Sequence, residues 1–210
     1  MNIGNDTALL IVDVQNDFCP GGALAIAGGD RVVAPLNRLA AHCAAQGMPV
    51  LASRDWHPSR TRHFREYGGA WPPHCVQGTP GAEFHPGLRL PAGSVVLSKG
   101  SDPEEDSYSA FDAVTEDGRH LTDLLKELGV RRLLIGGLAT DYCVRCTVLD
   151  ACRAGLAATV LTDAVAGVDV APGDSERALA EMALAGAQLC RTDELHQRQG
   201  AAGFSVTSNL

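Results

Sequence analysis

Short apolar runs alternate along the chain with segments whose apolar positions recur every three or four residues. Ala8–Leu9–Leu10–Ile11–Val12 is an apolar run closed by Asp13. It is too short for a helix and suits a strand buried on both faces. Over 31–46, Val32, Val33, Leu36, Leu39, Ala40 and Cys43 fall at helical spacing, and Gly47 is a natural stop. The same reading predicts strands over 49–53, 94–98, 132–136 and 158–162, and a last short strand over 187–190. Helices are predicted over 120–128, 141–153 and 175–185. Strands alternating with helices in this way predict a three-layer α/β/α chain with a mostly parallel central sheet.

The pattern fails in one long stretch. About 54–93 is loop-rich, holding six of the eleven prolines between Pro58 and Pro91. A loop of this length inside a compact domain is usually functional or disordered, and Trp56 and Trp71 favour an ordered one. The polar tail 197–210 is expected to be loose. With 210 residues, one domain spanning 1–210 is the default.

Composition narrows the function. The formal net charge is −8, which argues against a nucleic-acid binder or a protein that docks on anionic membranes. No apolar run is long enough to span a bilayer, and no signal peptide is visible, so a cytoplasmic chain is expected. There are seven cysteines, an odd number, and a reducing compartment disfavours disulfides. Cys19, Cys43, Cys75, Cys146, Cys152 and Cys190 read as reduced, mostly packed thiols, leaving Cys143 as the candidate for chemistry.

In open α/β sheets, ligands bind outside the carboxyl ends of the strands. Asp13 ends the first strand; taken alone it reads equally as a turn or capping residue. The second strand runs into Asp55–Trp56–His57, where positions i and i+2 point the same way on extended chain. His63 and His74 follow, so three of the seven histidines fall within eighteen residues beside an acid. Carboxylate plus imidazoles suit Zn²⁺, Fe²⁺ or Mn²⁺. His42 and His85 lack such company and read as structural. Lys99 ends the third strand and by itself is a snorkelling lysine, although beside a thiol or carboxylate it would lower their pKa values. Cys143 opens a helix after Gly136–Gly137–Leu138–Ala139–Thr140–Asp141, where the dipole favours a thiolate and backbone N–H groups can hold an oxyanion. Its plain alternative is a small core residue. Cys143–Val–Arg–Cys146 is also a CxxC, but no second CxxC completes a zinc site, and it follows the fourth strand where a redox pair would follow the first.

In order, the segments Asp13–Val–Gln–Asn–Asp–Phe18, Pro20–Gly–Gly–Ala–Leu24, Asp55–Trp–His57, Trp71–Pro–Pro–His74, Lys99–Gly100, Asp106–Ser–Tyr–Ser–Ala–Phe111 and Gly137–Leu–Ala–Thr–Asp–Tyr–Cys143 resemble the nicotinamidase branch of the isochorismatase-like cysteine hydrolases. The resemblance runs from about Ala8 to Cys190. It implies a triad of Asp13, Lys99 and Cys143, and one divalent transition metal (Zn, Fe or Mn) on Asp55, His57 and His74. His63 matches a fourth ligand found in only some members. It further implies an oxyanion hole at the N–H groups of Ala139 and Cys143, a cis peptide between Leu138 and Ala139, and a ring pocket involving Phe18, Trp71, Tyr108 and Leu138. The implied activity is deamidation of nicotinamide, with pyrazinamide as a further substrate, in a chain that is commonly a homo-oligomer. The nearest rival is a related hydrolase of another small amide or N-carbamoyl compound, against which the Asp55/His57/His74 group argues. A non-catalytic zinc or redox module on Cys143 and Cys146 would leave Asp13 and Lys99 idle.

Overall fold

The computed structural model describes Gly4 and residues 6–195, so the segment read as a loose tail lies outside the described residues. Six strands form one sheet: β1 (Thr7–Val12), β2 (Val50–Asp55), β3 (Val95–Lys99), β4 (Arg132–Leu138), β5 (Ala157–Ala166) and β6 (Gln188–Cys190). Their order is β3–β2–β1–β4–β5–β6 and every pairing is parallel. The helices are α1 (Val33–Ala45), α2 (Leu121–Glu127), α3 (Arg145–Arg153) and α4 (Asp174–Leu184).

The period-two alternation of side chains along the strands divides the core in two. Leu9 and Ile11 of β1 pack with Leu36, Leu39, Ala40 and Cys43 of α1 on one face. Ala8, Leu10 and Val12 pack on the other with Leu124 and Leu125 of α2, Val148 of α3 and Met182 of α4. Burial on both faces explains why β1 reads as an unbroken apolar run. Each buried Leu or Ile contributes roughly 1.5–3 kcal/mol.

Two departures from the sequence reading, and one loop that matches it, shape the site. β5 extends to Ala166 because Ile135 faces Val160 while Gly137 faces Val165, so β5 bulges outward and then resumes pairing. The helix expected from Asp141 opens instead as a π-helical turn, Thr140–Val144, before α3 begins. The crossover from β2 to β3 contains no α-helix, only short turns at Arg65–Tyr67 and Pro80–Ala82. It is ordered by backbone hydrogen bonds such as His57 N to Cys75 O (3.0 Å) and Arg65 N to Trp71 O (2.8 Å), with Phe64 buried as its apolar anchor.

The chain steps outward from β1 through β2 to β3, and from β4 through β5 to β6, so the winding reverses between β1 and β4. Doubly wound sheets open their ligand crevice at such a point. The two strands approach so closely there that a Cβ on Gly137, at φ +128°, would lie 2.0 Å from Val12 O. Gly137→Ala is therefore expected to destabilise the fold by about 3 kcal/mol or more. Thermal unfolding checks this, and an unchanged Tm would contradict the packing described.

Candidate active site

Four strand ends deliver their polar residues to one point. The backbone of Asp13 turns at φ 49°, out of the extended region, as the chain leaves β1. Its N–H still donates to Ser53 O at 3.1 Å, and Ser53 Oγ donates to its Oδ1 at 2.7 Å. Asp55 and Lys99 are register partners across β2 and β3, so their side chains leave the sheet together. Lys99 Nζ donates to Asp55 Oδ1, lies 2.9 Å from Asp13 Oδ2 and stands 3.4 Å from Cys143 Sγ. One ligand atom from each of Asp13, Asp55 and Cys143 lies within 4.8 Å of the others. All four residues are buried.

Burial and charge set the protonation states. Burial opposes the ammonium of Lys99, but Asp13 and Asp55 hold its pKa well above an ordinary lysine's. Burial raises Asp55, yet Lys99 and the neighbouring histidines carry its pKa below the usual carboxylate range. Asp13 is raised, chiefly by burial, with Lys99 opposing. The Cys143 thiol is pushed well above its ordinary value by burial, against Lys99 and with the two carboxylates. Desolvation and the two nearby anions thus oppose the thiolate that the helix terminus and Lys99 favour, and Asp13 stands beside the thiol as the group able to take its proton.

A second cluster adjoins the first. His57, His63 and His74 each offer a ring nitrogen within 4.8 Å of the other two. In each ring Nδ1 is engaged by an oxygen: Gly100 O at 3.0 Å for His57, Asp106 Oδ1 at 2.6 Å for His63 and Pro72 O at 2.8 Å for His74. With Nδ1 donating, each Nε2 keeps its lone pair, as in metal-ligating histidines, and those of His57 and His74 face the Asp55 carboxylate. His57 Nε2 is buried without a hydrogen-bond partner, and Asp55 Oδ2 lies 3.7 Å from it and 4.0 Å from His74 Nε2. Burial lowers the pKa of His63 and takes that of His74 down to about 4, so both stay neutral. Neutral imidazoles with fixed tautomers beside a carboxylate are a donor set that fits a divalent transition metal. His63, matched by the resemblance to a ligand of only some members, sits inside this trio.

Between the clusters is a small cavity lined by Phe18, Trp71 and Tyr108, as expected, together with Asp55, His63, His74, Ala139 and Cys143. Trp71 Nε1 donates to Tyr108 Oη at 3.0 Å. The Leu138–Ala139 peptide is cis. Leu138 itself is not on the lining; its side chain is wholly buried in the α1-side core, beside Phe18, Ile26 and Ala139, which do line the cavity. Leu24, Ile26, Tyr142 and Val168 complete the wall and were not anticipated. Leu24 and Tyr142 lie within segments that carry the resemblance, whereas Ile26 and Val168 stand in no motif. Cys146 lies in a separate surface cleft, and neither it nor Cys143 forms a disulfide.

A family model described as the isochorismatase domain matches residues 7–194. The chain is 43% identical to the nicotinamidase of Escherichia coli (strain K12), over 92% of this chain and 98% of that protein. It is 44% identical to the nicotinamidase/pyrazinamidase of Mycobacterium tuberculosis, over 87% and 97% of the two. The solved pyrazinamidase of Pyrococcus horikoshii in complex with zinc superposes with a TM-score of 0.81 at 44% identity, covering 89% of this chain and 99% of that one. From the all-parallel sheet to the strand-end residues and these likenesses, the chain belongs to the isochorismatase family.

Proposed function

We propose that the protein is a metal-dependent amidohydrolase that converts nicotinamide and water to nicotinate and ammonia through a cysteine thioester, and that pyrazinamide is a further substrate. The observation that carries this reading is that one aromatic-walled cavity is lined both by Cys143, from the buried thiol–lysine–carboxylate cluster, and by Asp55, His63 and His74, from the histidine group. The first cluster suits acyl transfer and the second suits a ring nitrogen. The high likeness to nicotinamidases over most of the chain supports the same substrate. One domain over 1–210 carries the activity.

Asp13 accepts the Cys143 proton as the sulfur attacks the carboxamide carbon, and Lys99 steadies the charge shared among the thiolate and the carboxylates. The backbone N–H groups of Ala139 and Cys143 stabilise the oxyanion. Asp13 then returns the proton to the nitrogen as the C–N bond breaks, releasing ammonia and leaving a thioester. In the second half Asp13 takes a proton from water, the oxygen adds to the carbonyl and the C–S bond breaks. The proton returns to sulfur, and nicotinate departs. His57, His63, His74 and Asp55 would hold a divalent ion, for which zinc, iron and manganese all fit the donors; when bound it supplies a Lewis acid for the ring-nitrogen lone pair. Phe18, Trp71 and Tyr108 flank a flat ring and fix its orientation.

Cys143→Ala is expected to lower ammonia release from nicotinamide by about a thousandfold or more while leaving the fold intact. Activity near wild type with an unchanged circular dichroism spectrum would refute the nucleophile. Chelation is expected to abolish turnover, and added Zn²⁺, Mn²⁺ or Fe²⁺ to restore it; full activity in metal-free protein would remove the histidine group from the reaction. Trp71→Ala is expected to raise KM about tenfold with a smaller change in kcat. Steady-state kinetics on nicotinamide test this, and an unaltered KM would take Trp71 out of the pocket wall.

A further inference from the structure

Asp55 belongs to both clusters, yet it sits where its strand loses a neighbour. In the β1–β2 ladder the last register pair is Val12 with Ser53. Past it, Asp13 N still donates to Ser53 O, but Asp13 O accepts from Gln15 N at 2.8 Å and no longer serves β2. From there the chain pairs elsewhere: His85 N donates to Val14 O and Asn16 N to Glu83 O, each at 2.9 Å. A parallel strand continuing straight from β1 would have bonded both the N–H and the C=O of Asp55. Those two groups are instead taken by one side chain. Gln15 Oε1 accepts from Asp55 N at 2.7 Å and Gln15 Nε2 donates to Asp55 O at 2.7 Å. The second amide hydrogen goes to Ala82 O at 2.9 Å, tying in the far end of the β2–β3 crossover. Gln15 is wholly buried, and its carboxamide is fully used.

We propose that Gln15 is a positioning residue for the metal group, acting through Asp55: its carboxamide replaces the strand that β1 withdraws. This inference rests on the metal-dependent reading above. The replacement lets two demands be met together. β1 breaks so that Asp13 can face Cys143, while the Asp55 backbone stays fixed as if still inside a sheet. A fixed backbone holds the carboxylate between Lys99 and the Nε2 atoms of His57 and His74. Without the clamp, two buried backbone groups lose their partners and the Asp55 carboxylate gains freedom at the strand end.

The test measures Zn²⁺ affinity by competition with a chelating dye, alongside Tm of the metal-free protein. Gln15→Met keeps the length of the side chain but removes the clamp. Gln15→Asn keeps the amide but draws it back by one methylene, giving a milder variant should the first fail to fold. Asn37 provides the control, because its amide grips Gly87 O and Arg89 N at 2.8 Å each, away from the site. The expected result is Zn²⁺ binding weakened about ten- to a hundredfold in the Gln15 variants and unchanged in Asn37→Ala, even where the Tm losses are alike. Affinity within twofold of wild type in the folded Gln15 variants would overturn the proposal while leaving the metal reading intact. An equal loss in Asn37→Ala would also overturn it, by reducing the effect to general loosening. Wild-type protein that binds no Zn²⁺ would instead overturn the metal reading, and this one with it.

Discussion

One buried ammonium group organises the catalytic end of this protein. Lys99 is held between the carboxylates of Asp13 and Asp55 and beside the Cys143 thiol, and all four residues are buried. Two carboxylates cannot share so small a dry space unless a cation lies between them, and a buried cation is equally costly without its anions. The cluster must therefore form as a unit, and the backbone is bent to allow it. β1 ends in a left-handed residue, β2 and β3 bring Asp55 and Lys99 into register, and the chain after β4 enters a π-helical turn that carries Cys143.

The same electrostatics divide the labour between the two carboxylates. Asp13, wholly enclosed and raised by burial, is suited to taking and returning a proton. Asp55, carried below the usual range by Lys99 and the imidazoles, remains an anion. Its two oxygens face different clusters: Oδ1 binds the ammonium and Oδ2 looks toward His57 and His74. One residue thus fixes the spacing between the reacting sulfur and the nitrogen-rich wall. That spacing is what a substrate with a ring nitrogen and a carboxamide would measure.

Most of the fold was legible because the central strands β1 and β4 are buried and stand out as apolar runs, and because β1, β2 and β3 each lead into a polar residue. That punctuation also exposed Asp13, Asp55 and Lys99. The histidines were visible as a cluster beside Asp55, and the structure draws His63 in with the other two. What escaped depends on three-dimensional closure. Val168 reaches the cavity from beyond β5, a strand that runs past its expected end because of a bulge. Ile26 comes from a loop without regular period. Leu138, placed in the pocket by its motif, lies in the core layer behind Phe18 and Ile26, a depth that sequence alone does not give. The helix-dipole rule covers only part of the environment of Cys143, because burial and the two anions beside the thiol act against a thiolate.

The β2–β3 crossover, which lacks a helix, has a consequence for how the molecule breathes. Its 57–77 part is secured mainly by hydrogen bonds, by Phe64 packed with the buried rings of His57, His63 and His74, and by Cys75, whereas the sheet beneath is secured by two extensive apolar layers. Segments with few apolar contacts form separate low-stability cooperative units. This crossover can therefore open while the strands stay closed, and amide hydrogens over 57–77 should exchange with solvent well before those of β1 and β4. Two of its tethers, Trp71 to Tyr108 and His63 to Asp106, cross to the loop after β3, so the two loops open as one piece. The reacting groups at the ends of β1, β2 and β3 stay anchored to the sheet when they do.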